Sequence, residues 1–287
     1  MKKLLGLKID VDTYLGMQKG VPNLLKTLRD FDLKATFYLS IGPDASGRAI
    51  LQLFRNPSFI RKMWRSNAVG LYGLRTAFYG TLLPAPRIAL SFPRLVREII
   101  AEGHEVQFHA WDHRRWQDEL HRRSVAWIRD WFARGVEGFT SLTGQAPTSF
   151  GAPAWLVDDR VLEVIRGYDF EYLSCTRARA PFVHEGCCLL EIPSDLPCLE
   201  EVGTEEQALG MIAGLLPEGD MHVLPLHAEV EGGIRQAYFV RLLEQALGMG
   251  FACVPLARLR EELVPENLPV RKYRSALLPG RAVPCAV

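Results

Sequence analysis

Residues 4–13 read "LLGLKIDVDT". Successive side chains of an extended strand point to opposite faces. Leu5, Leu7, Ile9 and Val11 then share one face, and Lys8, Asp10 and Asp12 share the other. Residues two apart on a strand lie about 6.6–7 Å from each other, so both carboxylates can serve one site in separate roles. Alone, such a pair is more often a helix cap or a surface salt bridge. A partner elsewhere in the chain must decide.

Outward from this strand, extended and helical patterns alternate. "GVPNLLKTLRDFDL" (20–33), "FPRLVREIIAEG" (92–103), "SVAWIRDWFARGVEGFTSLTG" (124–144) and "IRQAYFVRLLEQALGMG" (234–250) have apolar residues at helical spacing. Pro22 is tolerated in a first turn, and Gly103 reads as a stop. "KATFYLSIG" (34–42), "HEVQFHAW" (104–111), "PTSFGAPAW" (147–155), "FEYLSC" (170–175), "CLLEIP" (188–193), "MHVLPLHAEV" (221–230) and "FACVPL" (251–256) read as strands. Strands joined by crossover helices predict an α/β fold on a parallel sheet, open or closed into a barrel.

The chain has 287 residues, with 34 Lys+Arg against 33 Asp+Glu. A net charge of +1 gives no global field for nucleic acid. Six cysteines without a C-x-x-C pair fit reduced thiols better than a disulfide framework. "MKKLLGLKIDVD" is interrupted by Lys8 and Asp10 too early for an export signal, so it reads as the first strand of the mature fold. Residues 1–265 are expected to form one domain, and 266–287 a loosely ordered, basic, Pro-containing tail. Residues 43–93 break the rhythm with arginines interleaved among aromatics. That helical insertion either packs on the domain as a flap or lies in a membrane interface; Arg75, three glycines and two prolines make 68–86 a poor spanning helix.

"HAWDH" (109–113) supplies the partner. His109 and His113, spaced i, i+4, are expected on one face of a helical turn, where they can hold one cation. Ala110 follows His109, so this is not the H-E-x-x-H helix of metalloproteases. Two histidines and one carboxylate make a catalytic zinc set that leaves positions for water and substrate. Asp10 or Asp12 can supply that carboxylate; the direction of Asp112 disfavours it. His104 is expected to be structural. His227 closes the apolar run of 221–227, the strand end at which parallel α/β folds keep their site residues. His121 and His184 lack a supporting pattern and read as surface residues.

The order "IDVD", "HAWDH", "FGAPAW" (150–155) and "LPLHAEVEG" (224–232) resembles the polysaccharide deacetylase family with NodB homology. The resemblance implies a distorted (β/α)7-type barrel that removes acyl groups from amino sugars. It implies Asp10 as general base, Asp12, His109 and His113 as metal ligands, and His227 as general acid. The metal would be divalent, zinc foremost, with manganese, cobalt and nickel also suited. "SIGPDASGR" (40–48), "RSNAVGLYG" (65–73) and "LHAEVEG" (226–232) further resemble one branch, the 4-formamido-arabinose polyprenyl-phosphate deformylases of lipid A modification. That likeness implies a polyprenyl-phosphate-linked amino sugar as substrate. It also implies a peripheral place on the cytoplasmic face of the inner membrane, through residues 43–93.

Two positions depart from the family pattern. Gly151 stands where an arginine usually braces the base, and Cys175 where an aspartate usually tunes the acid histidine. Glu229, two residues after His227, is a candidate replacement if the strand continues. Trp155 and Arg177 are candidates for substrate contact, Arg177 through a phosphate or a sugar hydroxyl. Two other readings remain: an N-deacetylase of another amino sugar, and a degenerate glycolipid-binding domain without turnover. The oligomeric state is not readable.

Overall fold

The computed structural model describes residues 2–48, 79–81 and 83–287. The arginine- and aromatic-rich stretch 49–78, and with it most of the expected insertion, lies outside the described residues.

Strand β1 (Leu4–Val11) is the axis of the molecule, and all eight of its residues are buried. Strands β2 (Thr36–Ser40) and β3 (Glu105–Ala110) follow, then the short β4 (Ser149–Phe150), β5 (Tyr172–Leu173), β6 (Phe182–His184) and β7 (Leu190–Glu191). β8 (Met221–His227), β9 (Ala252–Val254) and β10 (Val270–Arg271) complete the main sheet, and β11 (Ser275–Ala276) pairs with β12 (Cys285–Ala286). The sheet runs β10-β6-β7-β5-β4-β3-β2-β1-β8. It is parallel apart from β6 against β7. β8 occupies one edge of β1 over Leu4–Asp10, while β2 takes the end of the other edge (Lys8–Val11) and β9 its start (Leu4–Gly6). The sheet thus splays where β2 and β9 part, as in the distorted barrel expected from the sequence.

Helices cover the outside by helical periodicity. α1 (Val21–Asp30) buries Val21, Leu24, Leu25 and Leu28, spaced i, i+3, i+4, i+7. α2 (Pro93–Ala101) buries Val96 and Ile99. α3 (His113–Glu119) is short, and α4 (Val125–Thr143) is the longest helix. Ser124 caps α4 by accepting from the Trp127 N–H, and Gly144 ends it at φ +80°, a conformation that costs glycine little. α5 (Asp159–Ile165), α6 (Leu199–Val202), α7 (Glu205–Leu215), α8 (Gln236–Gly248) and α9 (Leu256–Glu262) follow. The patterns above did not single out α5, α6, α7, β6 or the last three strands.

Lys8 is buried, with no exposed surface. Two expectations about other residues need correction. His184 is equally buried, its Nε2 2.9 Å from Glu191 Oε2. Residues 266–287 are not loose. Val270 and Arg271 pair with Val183 and His184, Cys285 and Ala286 are buried, and the Arg177 N–H donates to the Ala286 carbonyl. The backbone pairing of these strands and the burial of their apolar ends outweigh the breaking tendency of the prolines.

Candidate active site

The site lies at the carboxyl ends of β1, β3 and β8. Asp12 directly follows β1, and the turn after it is pinned where the Tyr14 N–H donates to Asp44 Oδ2 at 2.8 Å. His109 sits at an irregularity in β3: Leu39 pairs with Phe108 and Ser40 with Ala110, leaving His109 as the extra residue. Such a bulge re-aims a side chain. His113 begins α3, whose capping residue Asp112 accepts from the Arg115 N–H at 2.9 Å. The two histidines therefore converge across a strand-to-helix turn, not on one face of a helix. The turn is held by Trp116, which packs 4.3 Å from Trp131 (centroid to centroid) and donates its indole N–H to the Leu156 carbonyl.

His109 Nε2 lies 3.1 Å from Asp12 Oδ1, and His113 Nε2 lies 3.2 Å from Asp12 Oδ2. One ligand atom from each of the three residues falls within a 4.8 Å cluster. Asp12 Oδ1 and His109 Nε2 are buried without a hydrogen bond, although buried polar atoms are nearly always paired. His109 Nδ1 is 2.7 Å from the Gly151 carbonyl; as a donor there it leaves the Nε2 lone pair free. Burial opposes charge on Asp12, yet His113 and His109 hold its carboxyl far below the usual range. Burial likewise lowers His113 to about 4, so its imidazole is neutral. A carboxylate and two imidazoles converging within this cluster, with Asp12 Oδ1 and His109 Nε2 unpaired, are a donor set for a divalent cation, and these residues fit one.

Asp10 is 4% exposed and stands directly opposite His227 in the β1–β8 register. Lys8 Nζ lies 2.7 and 2.6 Å from its two carboxylate oxygens. The ammonium is also 5.0 Å from the Tyr38 ring centroid and 5.5 Å from that of Trp155, close enough for cation–π attraction. Lys8 thus gives Asp10 a cationic partner. The signal was its place on the same strand face as Asp10.

Gly151 instead serves through its backbone. A Cβ there would meet Tyr38 Cδ1 at 2.8 Å, so the close approach that brings its carbonyl to His109 requires glycine.

His227 Nδ1 is 3.2 Å from Glu200 Oε1 on α6, and its backbone N–H donates to Glu231 Oε2 at 2.8 Å. Burial disfavours the imidazolium, but Glu200, Asp12 and Asp10 together raise His227 well above the ordinary histidine range. Glu200 therefore occupies the place sought at Cys175. That thiol is buried and donates to the Phe150 carbonyl, and burial raises its pKa further. Sequence reading passed over Glu200 because only the fold brings α6 to β8.

Glu229 does not share a strand face with His227. The strand ends at His227 and the chain turns into a wide helical turn, Val230–Ile234. Glu229 is buried there with Oε2 unpaired, and burial and Asp12 push its carboxyl well up.

Trp155 and its neighbour Ala154 both adopt φ +53°, which is strained for residues with a side chain. The Trp155 indole N–H donates to Ser194 Oγ, and its ring meets His227 at 6.5 Å. Arg177 and Arg281 lie 4.7 and 4.9 Å from that ring, and both pair with Glu201. Arg177 also donates to the Ser194 and Leu196 carbonyls, so most of its guanidinium is committed within the protein. His104 accepts from the Ala35 N–H in the core, away from these residues.

The polysaccharide deacetylase family model matches residues 2–173. A protein of Shewanella sediminis named probable 4-deoxy-4-formamido-L-arabinose-phosphoundecaprenol deformylase is 34% identical over 260 residues, 88% of this chain and 85% of its own. A namesake from Wigglesworthia glossinidia brevipalpis is 30% identical over 280 residues, 93% of this chain and 96% of its own. The structure is similar to that of a Mycobacterium smegmatis protein assigned to the polysaccharide deacetylases (TM-score 0.67, 18% identity, 97% and 96% of the two chains). At that identity the likeness concerns the fold alone. The chain belongs to the polysaccharide deacetylase family and is a hydrolase of carbon–nitrogen amide bonds.

Proposed function

We propose that this protein removes the formyl group from a 4-formamido-arabinose carried on a polyprenyl phosphate, a step in the modification of lipid A that protects against cationic antimicrobial peptides. The observation that carries the reading is the pairing of Asp10 with His227 on adjacent strands beside the Asp12, His109 and His113 cluster. The substrate class follows the names of the two relatives that match most of the chain. The reaction takes formamide and water to amine and formate.

Asp12, His109 and His113 would hold a divalent cation, zinc foremost, which when bound supplies polarisation of the formyl oxygen and acidification of a water. Asp10, kept in place by Lys8, takes the proton of the attacking water. His227, charged through Glu200, gives its proton to the sugar nitrogen as the carbon–nitrogen bond breaks. Trp155 walls the site beside His227 and keeps water from the departing amine.

Among the described residues no helix is long and apolar enough to cross a membrane. Work on a lipid-linked sugar therefore calls for a peripheral position, here on the cytoplasmic face of the inner membrane, with residues 43–93 as the contact. The test is incubation of the metal-loaded protein with a formamido-arabinose polyprenyl phosphate, followed by mass spectrometry of the lipid and assay of formate. Formate release with the corresponding loss of mass is expected. An unchanged lipid, or acetate release from the acetamido analogue alone, would overturn the substrate assignment.

A further inference from the structure

Beyond Trp155 lies a cavity of about 400 Å³ that no step above uses. Five cations line it: Arg177, Arg179, Arg271, Lys272 and Arg274. No acidic side chain is among the lining residues. Three of the five are answered from outside the cavity, Arg177 by Glu201, Lys272 by Asp159 at 3.0 Å and Arg179 by Glu218 at 3.8 Å. Arg271 and Arg274 meet no carboxylate in an ion pair among the described residues, and both are exposed. The remaining wall is apolar, formed chiefly by Phe182, Leu278 and Val287.

The cavity adjoins the site through shared residues. Arg177 lines it and also lies against the Trp155 ring, whose edge meets His227. Leu278 and Val287 line it and pack on the cluster of Trp155, Cys198 and Cys285. Residues 270–287, part of the 266–287 stretch expected from the sequence to be a loose tail, thus supply both of its unpaired cations and much of its apolar wall.

We propose that this cavity is a subsite for a phosphate ester bearing a hydrocarbon chain, with Arg271 and Arg274 on the phosphate and Phe182, Leu278 and Val287 against the first part of the chain. Guanidinium groups recognise phosphate through paired, charge-assisted hydrogen bonds. A purely electrostatic site for a free anion has no use for the apolar wall. The inference rests on the deformylase reading: a formamido sugar seated at His227 would pass Trp155 with its ring and present its anomeric phosphate to these cations.

The experiment compares the metal-loaded protein with the Arg271→Gln/Arg274→Gln double variant, unfolding midpoints confirming that both are folded. Calorimetry with geranyl phosphate and with geraniol reads the cavity without turnover. The phosphate is expected to bind at least about tenfold more weakly to the variant, while geraniol distinguishes the two proteins less than twofold. With formamido-arabinose linked to geranyl phosphate and its phosphate-free methyl glycoside, the ratio of kcat/KM values should fall by about the same factor in the variant.

Equal geranyl phosphate affinity in the two proteins overturns the proposal. So does loss of binding to phosphatidylglycerol vesicles at unchanged geranyl phosphate affinity, which would assign the cations to a bilayer. A protein that binds geranyl phosphate through these arginines yet releases no formate keeps the subsite and refutes the deformylase reading.

Discussion

Lys8 Nζ bridges both carboxylate oxygens of Asp10, at 2.7 and 2.6 Å, with neither residue appreciably exposed. The two stand on one strand with a single residue between them, so β1 itself fixes their relation. Gly151 has no side chain to offer Asp10, whose cationic partner comes from two residues upstream. Breaking a buried pair by removing one partner is costly, because the other charge is stranded.

Lys8→Met is therefore expected to lower kcat by about a hundredfold or more and to destabilise the fold by about 3 kcal/mol. Its metal content should stay that of the unmodified protein. Lys8→Arg should recover much of the rate, since it returns the charge to the same face. Steady-state kinetics, urea unfolding and metal analysis check this together; wild-type kcat in Lys8→Met would remove Lys8 from the mechanism.

Gly151→Ala tests the backbone contact to His109. The added Cβ meets the Tyr38 ring at 2.8 Å, so the backbone must shift. A stability loss of about 1–3 kcal/mol is expected from overpacking. Displacing the carbonyl that orients His109 should weaken metal binding by about 10–100-fold, read by competition with a chromogenic chelator.

On the proposed mechanism, His227 and Glu200 set the alkaline side of the pH profile. Glu200 raises the imidazole's pKa, and the reaction needs the protonated form, so activity persists above the ordinary histidine range and is lost as pH rises through the raised value. Glu200→Gln removes the main opposing charge, so the alkaline limb of kcat should move to lower pH. An unmoved limb would show that another group donates the proton.

His222 and Asp195 provide a stability test away from the chemistry. His222 Nδ1 is 2.6 Å from Asp195 Oδ2, and although burial lowers its pKa, Asp195 raises it to a net upward shift. A histidine whose pKa is raised on folding is stabilising below its unfolded pKa, and that contribution disappears as pH rises through the folded one. Asp195→Asn should thus cost about 2 kcal/mol in mildly acidic solution and progressively less in alkaline solution, as urea denaturation at several pH values would measure.

Much of this site was legible because its chemistry is local. The Asp10–Asp12 spacing on a strand, the His109–His113 spacing and the histidine closing 221–227 are short-range facts of sequence, and the α/β alternation is a matter of periodicity. Even so, the i, i+4 spacing suggested a helical face where the chain has a bulged strand and a helix start. Spacing fixes which side chains can meet, not the backbone on which they do so.

What escaped the sequence was decided by partners distant along the chain. Lys8 belongs to no motif, and only the packing of Tyr38 and Trp155 around it leaves Asp10 as its counter-charge. Glu200 has no motif, and reaches His227 only because the 198–202 turn folds over the end of β8. The expectation for Glu229 depends on the strand continuing, and the turn after His227 gives it other surroundings; Arg177 packs on Trp155 and pairs with Glu201. The sequence by itself determined the alternating fold and the residues able to hold a metal and move protons. The tertiary structure alone decided which charges brace them, because in a buried site the nearest counter-charge, set by packing and not by sequence distance, governs each group.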